Sequence, residues 1–446
     1  MAAVDPPDST RTRNLLRSSI LLFVVVAGFY AATFDFRGLT DTRLNSIQTR
    51  ALVLHGDIDT ARYREETRGF MVQRGDHRYT IYGIGISLVS APFYAVLSRI
   101  DMNDETREGI VAVAFVAASV VAMLWALLRL VPPRFAAAGA VVYGFGTTMW
   151  PIAAQALFQH GPVALFQAIG LRALFSKGSR APFVAGLGFA AAATVRLAAA
   201  IPLAVIGLVY MTEGKKKTLR YVAGSLAPLV VIAVQNRWVW GSWITGGYVQ
   251  FGTGFAGDMP RAAFELLFGW WRGIFVYSPV LSVAAVGWAS SLRNLGGFVE
   301  RRMAALGVIG IATVVLYARK SDWTAGLNQF GYRYLLDVVP FLVVLAAWAW
   351  SRSRRVALVA APLAALSIMT MAYGMADNRF AWDGIESPKS FVDAPIGEAW
   401  IVFVHHPLWS VVRLLGVAAV SAVIWLIVRE ISSDRDELSA PVNAPA

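Results

Sequence analysis

The chain has 446 residues, 57% of them hydrophobic and 15% charged, with no cysteine and a formal net charge of +12. Such a composition excludes an ordinary water-soluble domain, and the missing thiols exclude disulfides and thiolate metal sites. The basic excess stands in short stretches beside apolar runs, the arrangement that orients a membrane protein, so nucleic acid is excluded as a partner.

The apolar runs predict an all-α polytopic transmembrane helical bundle with outer-side loops, each span crossing roughly 30 Å of hydrocarbon. About 12 spans can be placed, near 15–34, 109–130, 136–151, 156–175, 181–195, 198–211, 219–236, 272–291, 303–318, 335–351, 356–373 and 407–428. The first lacks a cleavage site and reads as a retained anchor. Residues 1–13 form a cytosolic basic tail, 14–428 the transmembrane domain, and 429–446 a second cytosolic tail with the composition of a disordered segment. The short pair at 181–211 reads as a tight hairpin, rich in the alanine and glycine that allow close helix packing in lipid.

Charge sets the orientation. With the N-terminus in the cytosol, the inward loops hold 20 of the 40 basic residues against 8 of the 28 acids. The remainder balances, so the whole net charge lies on the cytoplasmic side. One apolar segment, 81–97, would invert every later loop if it crossed. The acidic stretch Asp101 to Glu108 that follows suits the outer side. We therefore read 81–97 as a re-entrant or juxtamembrane helix with both ends outside. The outer side then carries four substantial segments, 35–80 (the first outer loop), 236–271, 319–337 and 374–406, where substrate handling is expected. No internal repeat supports a repeat-built transporter.

Within those segments a few residues stand out. Asp41 is a carboxylate just past the first span, placed to act as a general base towards a hydroxyl. Thr40-Asp41 is also a plausible start for a helix running to Gly56. Asp35 is its neighbour. Arg196, at the outer turn of the 181–211 hairpin, stands in apolar surroundings where an arginine costs at least about 2.5 kcal/mol near a helix centre and marks function, or else snorkels to headgroups. Arg333 and Arg272 stand where outer loops re-enter the membrane and could meet a phosphate. Asp337, four residues after Arg333, is expected to pair with it. Gln155 and His160 belong to the outer end of the 153–161 stretch. His405-His406 has a spacing that suits few metal sites. Asp57-Ile58-Asp59 spells an acid-x-acid motif of soluble nucleotide-sugar transferases but lies outside, where such donors are generally absent. Most of the outer tryptophans fit an interfacial aromatic belt, and one or two of them, Trp323 or Trp240, could instead stack on a sugar.

Several of these features together carry a resemblance. An acid just beyond the first span precedes a helix ending near a glycine about fifteen residues on. His77 to Gly85 with Ala91 to Tyr94, then Gln159 to Pro162, Phe268 to Pro279 and Gly331 to Pro340 follow it. The pattern resembles the GT-C superfamily of membrane glycosyltransferases, in the bacterial branch of protein O-mannosyltransferases and aminoarabinose transferases. It departs at Thr42, where those proteins often carry a second acid, and at Tyr82-Gly83, where a proline pair is missing. The resemblance implies transfer of a sugar from a polyprenyl-phosphate carrier to a glycan, lipid or protein acceptor at the outer face of the cell membrane. It implies Asp41 as the catalytic base. Arg196, at a position where the family carries a basic residue, would bind the substrate's phosphate together with Arg333 and Arg272, and His160 and Gln155 would line the substrate site. No cofactor is expected, and no residue cluster supports a divalent metal. The rival classes are a transporter or flippase of a lipid-linked sugar, needing the same arginines but no base, and a non-catalytic protein of the same fold.

Overall fold

The computed structural model describes residues 9–66, 69–250, 254–255, 257–324, 330–375, 394, 396–397, 401, 405 and 407–436. The protein is an all-α membrane protein with one two-stranded hairpin. Helix α1, Ser9–Ala32, covers the first predicted span. Helix α2, Thr40–His55, begins where the sequence places it. Asp41 lies in its first turn, where a carboxylate complements the helix dipole, and Thr42 Oγ1 accepts the Leu39 N–H at 3.0 Å. Gly56, at φ 73°, closes it in the left-handed conformation.

The rest of the first outer loop holds a feature that the sequence reading missed. Strands β1, Met71–Arg74, and β2, His77–Thr80, pair antiparallel around a Gly75-Asp76 turn, with Val72 opposite Tyr79. A Gly-Asp pair between two short half-buried runs is a hairpin signal, but each run is only four residues long.

Helix α3, Gly85–Leu97, has 13 residues and so spans about 20 Å, too short to cross. Near its start, the Ile84 N–H is donated to Gln235 Oε1 at 2.8 Å, and near its end Tyr94 donates to Ser46 Oγ on α2 at 2.8 Å. Leu88, Phe93 and Val96 remain exposed, an apolar face for the membrane surface. These contacts are those expected of a juxtamembrane helix with both ends on the Asp41 side, an expectation that labelling tests. With cysteines introduced one at a time in place of the exposed Asp76 and Asp101, an impermeant thiol reagent should label both from the same side of the membrane. Labelling from opposite sides would make α3 a crossing helix.

The bundle continues through α4, Asp104–Leu127; α5, Pro133–Phe145; α6, His160–Leu174; α7, Ala181–Val195; α8, Ala200–Thr212; and α9, Lys215–Gln235. Short helices α10, Gly247–Gln250; α11, Met259–Phe268; α12, Ile274–Tyr277; and α13, Ala284–Ser291, follow. The chain then runs through α14, Phe298–Ala318; α15, Val339–Arg352; α16, Arg354–Gly374; and α17, Pro407–Asp436. Among the described residues six segments are long and apolar enough to cross a membrane: Leu15–Ala32, Asp104–Leu127, Lys215–Trp240, Arg333–Arg352, Arg354–Gly374 and Pro407–Ile431. The expected single span at 272–291 is instead broken into α12, a 3-10 turn at Pro279–Val283, and α13. Pro279 cannot continue the ladder of α12, so the break follows from the chain itself.

Helices α7 and α9 cross at their glycines. A Cβ on Gly186 would stand 2.1 Å from the Tyr221 carbonyl oxygen, and one on Gly224 2.0 Å from that of Phe183. The backbones therefore touch, which is what the small residues of the 181–211 hairpin anticipate. At the end of the bundle away from Asp41, Arg302 and Glu213 form a buried ion pair at 2.7 Å. That pair gathers the Glu213 and Arg302 segments on one side, in agreement with the charge partition.

Candidate active site

Four segments meet at the Asp41 end of the bundle: the start of α2, the residues before and at the start of α6, the break between α7 and α8, and the 3-10 turn Arg333–Val338 before α15. Each places one or two polar side chains in an apolar frame.

Asp41 and Arg333 form an ion pair, with side chains 13% and 10% exposed. The Arg333 guanidinium also lies over the Phe158 ring, 4.9 Å from its centroid. Its position depends on Gly331, whose φ of +76° is favourable only for glycine and where a Cβ would stand 2.7 Å from Thr148 Cγ2. Tyr332 is pinned from behind by Ser278, 2.6 Å from its hydroxyl. Arg272, 1% exposed, donates to the carbonyls of Gly331 at 3.1 Å and Thr324 at 2.7 Å. It stands behind the backbone that carries Arg333.

The second cluster centres on Asp337. Its Oδ2 accepts from Arg196 Nε at 2.8 Å and from the Tyr317 hydroxyl at 2.7 Å, and its Oδ1 meets His160 Nδ1 at 2.8 Å. The expected partner, Arg333, turns to Asp41 instead. The reason is helical geometry. Residues 333–338 form a 3-10 helix, in which positions three apart share a face and positions four apart do not.

Arg196 caps α7 in an extended conformation (φ −146°, ψ 122°), at the hairpin turn as expected. Besides Asp337 it reaches Tyr317 from Nη2 at 3.0 Å and Gln159 Oε1 from Nη1 at 3.2 Å. A guanidinium has five N–H donors. These contacts occupy one on each nitrogen, which leaves one on each terminal nitrogen for a ligand. His160, bonded through Nδ1–H to a carboxylate, presents Nε2 as an acceptor, and that atom is buried without a protein partner among the described residues. Tyr317 stacks on Tyr334 with centroids 4.7 Å apart, and Lys320 Nζ lies 3.1 Å from the Tyr334 hydroxyl. Burial pulls the Lys320 ammonium below its ordinary range, with Asp322 acting against it.

Gln155 is fully buried, with both polar ends held by protein. Its Oε1 accepts the Asp35 N–H at 2.8 Å and its Nε2 donates to the Trp150 carbonyl at 2.9 Å. It fixes the segment leading from α1 to Asp41, and Asp35 faces Arg37 at 3.5 Å. In the acid-x-acid motif, Asp59 accepts from the amides of Arg78 and Ala61, each at 2.9 Å, and bonds His77 at 2.7 Å. Partial burial acts to raise this carboxyl, but those bonds together hold it below the usual range. The motif closes a loop. His406 lies outside the described residues. Tyr317 and Gln159 are members of the cluster that sequence reasoning missed; a tyrosine at the outer end of a span was the available signal for the first.

A cavity of about 540 Å³ opens beside Thr40 and Arg43, with Glu65, Glu66 and Glu105 among its lining. Among the described residues no group of three or more histidine and acidic side chains is placed to hold a metal ion.

No protein-family profile and no curated sequence matches this chain. Its fold does match a solved structure, that of ArnT from Cupriavidus metallidurans in the apo state. The TM-score is 0.52 at 15% identity, over 93% of this chain and 75% of that one. The chain therefore shares the overall fold of that structure.

Proposed function

We propose that the protein is a membrane glycosyltransferase that moves a sugar from a polyprenyl-phosphate carrier to a hydroxyl of a glycan, lipid or protein acceptor at the outer face of the cell membrane. The carrying observation is the convergence of one carboxylate, Asp41, with Arg333, Arg196 and the His160–Asp337 pair at a single end of a GT-C-like bundle. In this reading Asp41 takes the acceptor's proton, and the acceptor oxygen attacks the anomeric carbon. The bond to the phosphate oxygen breaks with inversion, and the departing phosphate anion is held by Arg196 and Arg333. Arginine suits that task because its planar fork matches two phosphate oxygens.

Electrostatics support a division of labour. The cavity beside Thr40 is lined by three glutamates and one arginine, Arg43, which pairs with Glu66; the net negative lining disfavours a phosphate there and suits a neutral or cationic acceptor. Arg196, with two donors unspent, lies on the side of Asp337 and His160. Buried charged residues also gather at the two ends of the described bundle, which favours surface chemistry over ion-coupled transport. Arg272 and Gln155, assigned to the substrate by resemblance, serve in this reading as positioning residues.

The test is a deletion strain profiled for lipid-linked glycans by mass spectrometry, paired with the purified chain and a panel of polyprenyl-phosphate hexoses and pentoses. One donor should accumulate in the strain and be consumed by the protein in the presence of acceptor. If the reconstituted protein moves that lipid between leaflets and breaks no glycosidic bond, it is a flippase.

A further inference from the structure

The inner end of the bundle carries a feature that the reaction does not use. A groove of about 580 Å³ runs between α1, α4, α6 and α7, walled by side chains such as Leu15, Val121, Ala122 and Leu165. Three arginines, Arg129, Arg172 and Arg180, and no carboxylate share its lining. The groove lies at the start of α1 and the end of α6, whereas Asp41 follows α1 and His160 opens α6, so the two sites occupy opposite ends of the molecule.

Two of the three arginines have an ordinary explanation. Arg129 follows α4 and Arg172 is in the last turn of α6, where a cation complements the negative end of the helix dipole. Arg180 is the N-cap residue of α7, the positive end, so the helix dipole does not account for it, although membrane orientation favours a basic residue in this loop. Arg220, donating to the Ser179 carbonyl at 2.9 Å, adds a further positive charge at the same loop. None of Arg129, Arg172 and Arg180 makes an ion pair with an acid among the described residues. Three arginines without a carboxylate on one groove suit an anion. The apolar walls directly beneath call for a hydrocarbon chain.

We propose that this groove is a binding site for one anionic phospholipid of the leaflet opposite Asp41. Its phosphate is held by Arg129, Arg172 and Arg180, and the start of one acyl chain lies along α1 and α4. Basic pockets between transmembrane helices recognise anionic headgroups in this way, and the groove's volume is typical of ligand sites. Trp125, whose Nε1 donates to Ser19 Oγ at 3.0 Å, ties α1 to α4 beside the groove, so an occupant would brace the anchor against the bundle. The inference is independent of the catalytic reading.

The experiment is native mass spectrometry of the full chain released from nanodiscs containing equal amounts of phosphatidylglycerol and phosphatidylcholine with matched acyl chains. The wild type should retain one phosphatidylglycerol, with at least tenfold preference. Arg172→Gln/Arg180→Gln should lose about fivefold in retention for each arginine removed. A control on the same side, Arg354→Gln/Arg355→Gln, should keep it. Ala122→Phe leaves every arginine in place but fills the chain track, and should also weaken retention. That variant decides the matter should the double arginine variant not fold. Equal retention of the two lipids, or equal loss in the control, overturns the site. If soluble glycerol phosphate displaces the lipid at equal concentration, the groove recognises a free phosphate and the lipid assignment fails.

Discussion

Asp41→Asn is expected to lower turnover by about 10²-fold or more, while affinity for the polyprenyl-phosphate donor is kept or rises, since Arg333 no longer has to leave a carboxylate. Asparagine keeps the size and polarity of the side chain and can still sit in the first turn of α2, but it breaks the buried pair with Arg333, so some loss of stability is expected and turnover is compared on folded protein. What it loses is the ability to accept a proton. The ion pair with Arg333 adds a second element. A carboxylate clasped by a guanidinium is a poor base, and the donor's phosphate is a natural competitor for that guanidinium. Donor binding would thus draw Arg333 away and expose Asp41 to the acceptor, coupling the base to an occupied site. Accordingly, Arg333→Ala should weaken donor binding yet leave a carboxylate able to react at saturating donor. Steady-state turnover set beside equilibrium binding of polyprenyl phosphate separates the two roles. Near-normal turnover in Asp41→Asn would return this residue to an ordinary first-turn acid and move attention to Asp35.

The parts of this site that were legible in the sequence are those whose signal is local. A carboxylate after a long apolar run, with a glycine closing the helix it opens, defines α2 within the chain itself. A single arginine between two short apolar helices defines the α7–α8 turn, because lipid makes such a residue costly anywhere else. What was not legible depends on partners far apart in sequence. Arg333 and Asp337 are spaced as an α-helical pair, but the turn is 3-10, so each faces a different neighbour. Gln155 and Arg272 have the residue types of a binding site, yet their hydrogen bonds go largely to backbone groups of adjoining loops, which no local pattern announces. The β1–β2 hairpin escaped because two four-residue strands are too short for alternation to register.

Arg196 carries the second large effect. Activity should rank wild type, then Arg196→Lys, then Arg196→Ala, with affinity for a polyprenyl-phosphate donor falling in the same order. Lysine keeps a charge near the phosphate but lacks the two-pronged fork, and alanine lacks both. The structure adds a complication, because Arg196 also neutralises Asp337, whose side chain is only 3% exposed. Removing one partner of a buried pair costs about 3–5 kcal/mol, so Arg196→Ala should lose stability as well as affinity. Asp337→Asn separates the two losses. It breaks the same pair and should also lower the melting temperature, but it leaves the arginine, and its amide oxygen can still accept from Arg196 or Tyr317. Donor affinity in Asp337→Asn should therefore stay within a few-fold of wild type, with the larger change in turnover, since His160 loses the carboxylate that fixes its ring. Tyr317→Phe, which removes one donor to Asp337 and one acceptor for Arg196, should fall between wild type and Asp337→Asn in stability. The decisive comparison is donor binding at a temperature where every variant is folded. If Asp337→Asn loses as much affinity there as Arg196→Ala, the pair is scaffolding for the outer end of the bundle, and the phosphate is held by Arg333 alone.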